Sequence, residues 1–153
     1  MQREWWKAIR KASAPQRDTV LKSWGWVRVR SPEGLAAVAT LPGRSQRPVV
    51  VYFFAKWSAL NGDLERQVLS DPAVRERLRE FTMVYVDVTE PGAEQKEMKK
   101  MLDGEIVPKV HVFRTGSGLA ASLLAGEEPA PEGSIDEVVG VREFLVMLDS
   151  VSG

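Results

Sequence analysis

Cysteine is absent from all 153 residues. The polypeptide can therefore make no disulfide, offer no thiolate nucleophile and hold no thiolate-ligated cluster. Long apolar stretches are missing too. The longest purely apolar run, residues 49–55, is far too short to span a bilayer, and no apolar segment of signal-peptide kind follows the N-terminal charges. Neither a transmembrane helix nor a secretory signal peptide is expected. Internal repeats and low-complexity tracts are also lacking, and histidine occurs once, at His111.

What is present suits one globular domain with an appendage. A chain of this length that is 44% hydrophobic can bury a core without metal or disulfide support. Formal charge is zero overall but unevenly placed: residues 1–30 hold eight Lys/Arg against Glu4 and Asp18 only, so a +6 segment precedes a −6 body. Such asymmetry points to an arm with its own partner. Within it Trp5, Ala8, Ile9 and Ala12 recur at helical spacing, with Trp6 at their margin and Arg3, Lys7, Arg10 and Lys11 opposite. This predicts a short basic amphipathic helix ending near Ala14-Pro15, then a linker over 15–25. Residues 1–25 are read as the arm and 26–153 as the domain.

From Trp26 the pattern is that of an α/β domain. Residues 26–30 alternate as a half-buried strand, and Ser31-Pro32 caps and opens a helix that ends before Leu41-Pro42-Gly43. Residues 48–55 are a continuous β-branched and aromatic run, as a central strand covered on both faces requires. A helix is expected from Ser58–Asn61 to about Leu69, another after Ser70-Asp71-Pro72, a second core strand over 82–88 and a charged helix over 93–103. Pro108 to Arg114 reads as a strand, Thr115-Gly-Ser-Gly118 as a hairpin turn, Ala120 to Ala125 as its partner strand, and Glu127 to Gly133 as a loop. The capping-box pattern Ser134-Ile-Asp-Glu137 predicts the start of a last helix with Ile135, Val138, Val141, Leu145 and Leu148 turned inward.

Three stretches carry a family likeness: Phe54-Ala55-Lys56-Trp57-Ser58-Ala59-Leu60-Asn61, then Ser70-Asp71-Pro72-Ala73-Val74, then Glu105-Ile106-Val107-Pro108-Lys109-Val110. With the order of elements, they resemble the thioredoxin fold, closest to the C-terminal thioredoxin-like domain of bacterial thiol-disulfide interchange proteins of DsbD type. The resemblance runs over about residues 26–151. It implies an α/β domain with a central mixed sheet of four to five strands flanked by helices, and a cis-proline at Val107-Pro108. The family's strand runs into Tyr-Ala-Asp-Trp-Cys-x-x-Cys. By the resemblance its nucleophilic cysteine corresponds to Ser58, its resolving cysteine to Asn61, and its buried proton-transfer acid to Tyr52. A serine hydroxyl is scarcely ionised near neutral pH and forms no disulfide, and asparagine cannot complete the exchange. The resemblance therefore implies a redox-inactive relative, with Trp57, Ser58, Asn61 and Tyr52 as a vestigial active site.

Each candidate has a plainer reading beside it. Ser58 could act as a hydroxyl nucleophile or orient glutathione, as in some glutathione transferases, but is expected to be an N-cap accepting a backbone N–H. Asn61 is expected on the surface of the first helical turn. Val107 and Pro108 either shape a groove for an extended peptide or are inherited architecture. His111 is read as a packing or edge residue, and Asp87, Glu94, Glu97, Asp103 and Glu105, which lack metal-ligand spacing, as caps and solvated faces. Trp24 and Trp26 are expected to pack back on the domain. Trp5 and Trp6 are expected to meet an external partner, because so short a helix needs its apolar face covered.

The function expected is that of a non-catalytic structural or adaptor subunit, without cofactor or metal, docked by its basic arm onto other subunits of a larger assembly. The basic, acidic-poor start resembles a mitochondrial targeting segment, which makes a mitochondrial complex one home and the cytoplasm the alternative. The alternatives in function are a peptide-binding chaperone or assembly factor using the Val107-Pro108 groove, and a glutathione-transferase-like enzyme. Nucleic-acid binding is not expected of a −6 body, and the arm allows weak peripheral membrane contact.

Overall fold

The computed structural model describes residues 14–152, and side chains over 19–151. The arm residues Arg3, Trp5, Trp6, Lys7, Ile9, Arg10 and Lys11 lie outside the described residues. The order of elements is α1 Ala14–Ser23, β1 Val27–Arg28, α2 Pro32–Ala39, β2 Val49–Phe54, α3 Ala59–Leu64 running into a π-helical turn Glu65–Leu69, α4 Pro72–Leu78, β3 Thr82–Asp87, α5 Ala93–Leu102, β4 Lys109–Phe113, α6 Gly116–Leu124, β5 Gly133–Ile135 and α7 Val141–Ser152. The five strands form one mixed sheet in the order β1-β3-β2-β4-β5. β1, β3 and β2 are parallel, while β4 runs antiparallel between β2 and β5.

β2 is the centre of the molecule, and all six of its residues are buried. Alternate side chains serve opposite cores. Val50, Tyr52 and Phe54 pack with α1, α3, α4 and α7, whereas Val49, Val51 and Phe53 pack with α2, α5 and α6. The helix starts follow local chemistry: Ser31 accepts from the Gly34 N–H and Asp71 from those of Ala73 and Val74, each with proline in the first turn.

Three stretches depart from expectation. Residues 15–25 are not a linker: α1 occupies most of them, with Pro15 in the first turn, where a missing N–H costs nothing, and Leu21 fully buried in the core of Trp26. Trp26 is buried and Trp24 half-buried against the same core, the Arg75 guanidinium lying 5.5 Å from the Trp24 ring centre. Thr115 to Gly118 is not a hairpin turn, nor Ala120 to Ala125 a strand. The Thr115 hydroxyl accepts from the Gly118 N–H and caps α6, which buries Leu119, Ala120 and Leu123. Gly116 approaches α2 so closely that a Cβ there would stand 2.0 Å from the Ala39 carbonyl oxygen. The strand paired with β4 is β5, beyond most of the expected 127–133 loop, so the Ser134 capping pattern is unused and the last helix begins at Val141. Phe144, Leu148 and Val151 are its buried face.

Candidate functional site

β2 ends at Phe54, and the chain turns through Ala55 to Ser58 into α3. β4 begins at Lys109 opposite Phe53, so the Val107-Pro108 peptide, which is cis, stands at the same end of the sheet as this turn. Tyr52, Trp57, Ser58 and Asn61, the positions singled out by the sequence, lie together at this end of β2.

Asn61 is fully buried, not on the surface. Its Oδ1 accepts from the Ala55 N–H at 3.1 Å, while its Nδ2 donates to the Tyr52 hydroxyl at 3.0 Å and to the Phe53 carbonyl at 3.3 Å. The amide thus clamps the end of β2 to the first turn of α3, leaving neither of its polar atoms idle. Ser58 sits at the N-cap position with extended backbone, but its hydroxyl makes no capping bond. The helix end is closed instead by main-chain bonds, from Ser58 N–H to the Ala55 carbonyl and from Asn61 N–H to the Ser58 carbonyl.

Beneath them lies Glu65, only 2% exposed, whose Oε2 accepts from the Tyr52 hydroxyl at 2.7 Å. A carboxyl in such a place is costly unless it is hydrogen-bonded, and the phenol supplies a donor. A buried acid thus stands at 65, joined to Tyr52 through the phenol hydroxyl. Sequence reasoning missed it, although Asn61, Leu64, Glu65 and Val68 fall at the helical spacing of one inward stripe.

A second network holds the turn from the other side. The Lys56 N–H donates to the Thr89 hydroxyl at 2.9 Å, and Thr89 donates its N–H and hydroxyl to Asp87 Oδ1. The Arg28 guanidinium stands 3.9 Å from Asp87 Oδ2. Asp87 is buried, not solvated as expected, and its carboxylate ties β1 and β3 to the turn.

Outside this polar frame large apolar side chains are exposed beside the charged Lys56 and Glu105: Trp57 is 69% exposed, Leu60 49% and Ile106 57%, while Val107 is half-buried and Pro108 buried. His111 is buried in β4 against Phe53 and Phe113, a packing residue. Burial holds its imidazole below the ordinary 6.5, and Lys109 acts in the same direction, against hydrogen bonds to the backbone and the charge of Asp103. Among the described residues no group of three or more His, Asp or Glu could hold a metal ion, and no helix is long and apolar enough to cross a membrane.

The strand order, the helices on both faces and the cis-proline segment beside the end of β2 define a thioredoxin-like fold. It superposes on a thioredoxin from Thermus thermophilus with a TM-score of 0.60 at 24% identity, over 83% of this chain and 85% of that one. It superposes on the oxidised C-terminal domain of DsbD from Neisseria meningitidis with a TM-score of 0.58 at 19% identity, over 74% and 88%. In sequence the chain is 29% identical over 73 residues to the thiol:disulfide interchange protein DsbD of Vibrio vulnificus, a match that spans 48% of this chain and 12% of that protein. No family model matches the sequence. The chain thus has a thioredoxin-like fold, is similar over about half its length to part of DsbD, and is devoid of cysteine.

Proposed function

We propose that this protein is a redox-inactive binding module, a non-catalytic adaptor that engages a protein partner through the face around Trp57. The observation that carries the reading is the exposure of Trp57 on a turn tied down by a buried polar network and a part-buried one, with Leu60 on α3 and Ile106 ahead of β4 exposed as well. A large aromatic kept in water on a pre-ordered frame is the kind of side chain that anchors interfaces, because little conformational entropy is lost when a partner covers it. The basic arm supplies a second contact with the assembly, through Trp5, Trp6 and the cations opposite them.

Affinity purification of the tagged full chain from its native source tests this, in parallel with Trp57→Ala and with a Trp5→Ala/Trp6→Ala variant. A stoichiometric partner retained by the parent and lost with Trp57→Ala supports the face, and loss with the double variant supports the arm. Retention by both variants refutes the adaptor reading. The chaperone reading shares the same surface and is favoured by the cis Val107-Pro108 segment, which stands at the same end of the sheet as Trp57. It requires the parent, and not Trp57→Ala, to capture a reduced and alkylated unfolded polypeptide.

A further inference from the structure

The segment from Asp103 to Pro108 carries Ile106 to the proposed face, yet it belongs to no helix or strand. α5 ends at Leu102, Asp103 takes a left-handed backbone with φ 52°, and the Gly104 N–H turns back to the Lys99 carbonyl at 2.9 Å. Contacts from β2 and β4 fasten this segment to the sheet. The Phe53 ring fills the place of a Gly104 Cβ, which would lie 2.5 Å from Cε2. Lys109 Nζ stands 3.8 Å from Asp103 Oδ2. His111 reaches furthest: its Nε2 is 3.3 Å from the Asp103 carbonyl and its Nδ1 is 2.6 Å from the Ser134 hydroxyl of β5. A carbonyl only accepts, so Nε2 carries the proton and, in the neutral ring, Nδ1 accepts from Ser134.

We propose that His111 is a positioning residue for the docking face: by joining Asp103 to Ser134 it fixes the segment that presents Ile106, and its protonation releases that segment. The inference rests on the docking reading above. The groups facing the ring explain the direction. Lys109 on its own strand is a cation, and Asp103 at the end of α5 is the one nearby anion, already paired with Lys109. The Ser134 hydroxyl can turn to accept from a protonated Nδ1, but Phe53 from β2 and Phe113 supply no anion, and a ring only 3% exposed leaves the new charge without water. An imidazolium here gains too little to stay buried, and hydrating it opens the bridge.

The test is amide hydrogen exchange at Gly104, whose N–H bonds the Lys99 carbonyl at the start of the segment, in the full chain, at about pH 7.5 and about pH 5.5, each corrected for the intrinsic exchange rate. The parent should lose roughly tenfold in protection on acidification, and His111→Leu should show that loss already at the higher pH. His111→Gln, which keeps a donor near the place of Nε2 and does not titrate, should stay protected at both. Unchanged protection in His111→Leu overturns the proposal, as does an equal loss throughout β2 and β3, which marks a general packing defect. Exchange needs no partner, so this result stands apart from the docking reading, which the Trp57→Ala comparison decides.

Discussion

Replacing Asn61 by alanine distinguishes a buried clamp from a surface residue more sharply than any other single change. The alanine side chain removes three hydrogen bonds and leaves the Ala55 N–H, in a fully buried residue, without the acceptor it uses. Stranding one buried donor costs about 1–3 kcal/mol, and losing the two bonds from Nδ2 adds about 1 kcal/mol net. The sum, about 2–4 kcal/mol, is a large share of the roughly 5–15 kcal/mol that holds a domain together. Urea denaturation should show this as a lower midpoint with an unchanged slope, and thermal unfolding as a drop of about 5–12 °C. In a double-mutant cycle with Tyr52→Phe the coupling should be about 1 kcal/mol, because the two side chains share a bond. A loss for Asn61→Ala within about 0.5 kcal/mol, the range of ordinary surface substitutions, would refute the clamp.

Stability should also fall as the pH drops through the ordinary histidine value of 6.5, since the unfolded chain then binds a proton that folded His111, held below that value, does not. The slope attributable to this group is at most about 1.4 kcal/mol per pH unit, read as the difference between the parent and His111→Gln in denaturation from about pH 7.5 to about pH 5. Gly116→Ala drives a methyl into the Ala39 and Arg44 carbonyls, which are backbone and cannot yield, so a loss of roughly 2–4 kcal/mol is expected by calorimetry. Gly62→Ala, on α3 with open space around the new Cβ, should instead gain about 0.5–1 kcal/mol. Trp57→Ala should change the unfolding free energy by less than about 0.5 kcal/mol, because its ring lies mostly in water.

The central strands and most helix starts were legible because their signals are local. An unbroken apolar run such as residues 49–54 needs two covered faces, and Ser31-Pro32 and Asp71-Pro72 carry their own caps. Thr115-Gly-Ser-Gly118 misled because threonine and glycine serve turns and helix starts alike; what decides between them is the Ala39 carbonyl, brought there from far away in sequence. β5 is three residues long and shows no alternation, so only its pairing with β4 reveals it. At the site, the positions of Trp57, Ser58, Asn61 and Tyr52 at the end of β2 and the start of α3 follow from the apolar run and the helix start beside them. The burial of Asn61 and the arrival of Glu65 depend on the Tyr52 hydroxyl, a tertiary partner that no periodicity announces.

The π-helical turn that follows α3 makes this arrangement a matter of counting as well as of chemistry. The Ser70 N–H reaches back five residues to the Glu65 carbonyl, so the helix holds one residue more than an α-helical turn would. Deleting a single residue from 65–69 would turn everything upstream by about 100° relative to α4. Asn61 and Glu65 could then keep their places beneath Tyr52 only if α4 gave up its own, where Val74 and Leu78 pack in the same core. Substitutions at exposed Gln67 are cheap for this protein, but a change of length there is not, and descendants of this chain should vary in letter at that point while conserving its count.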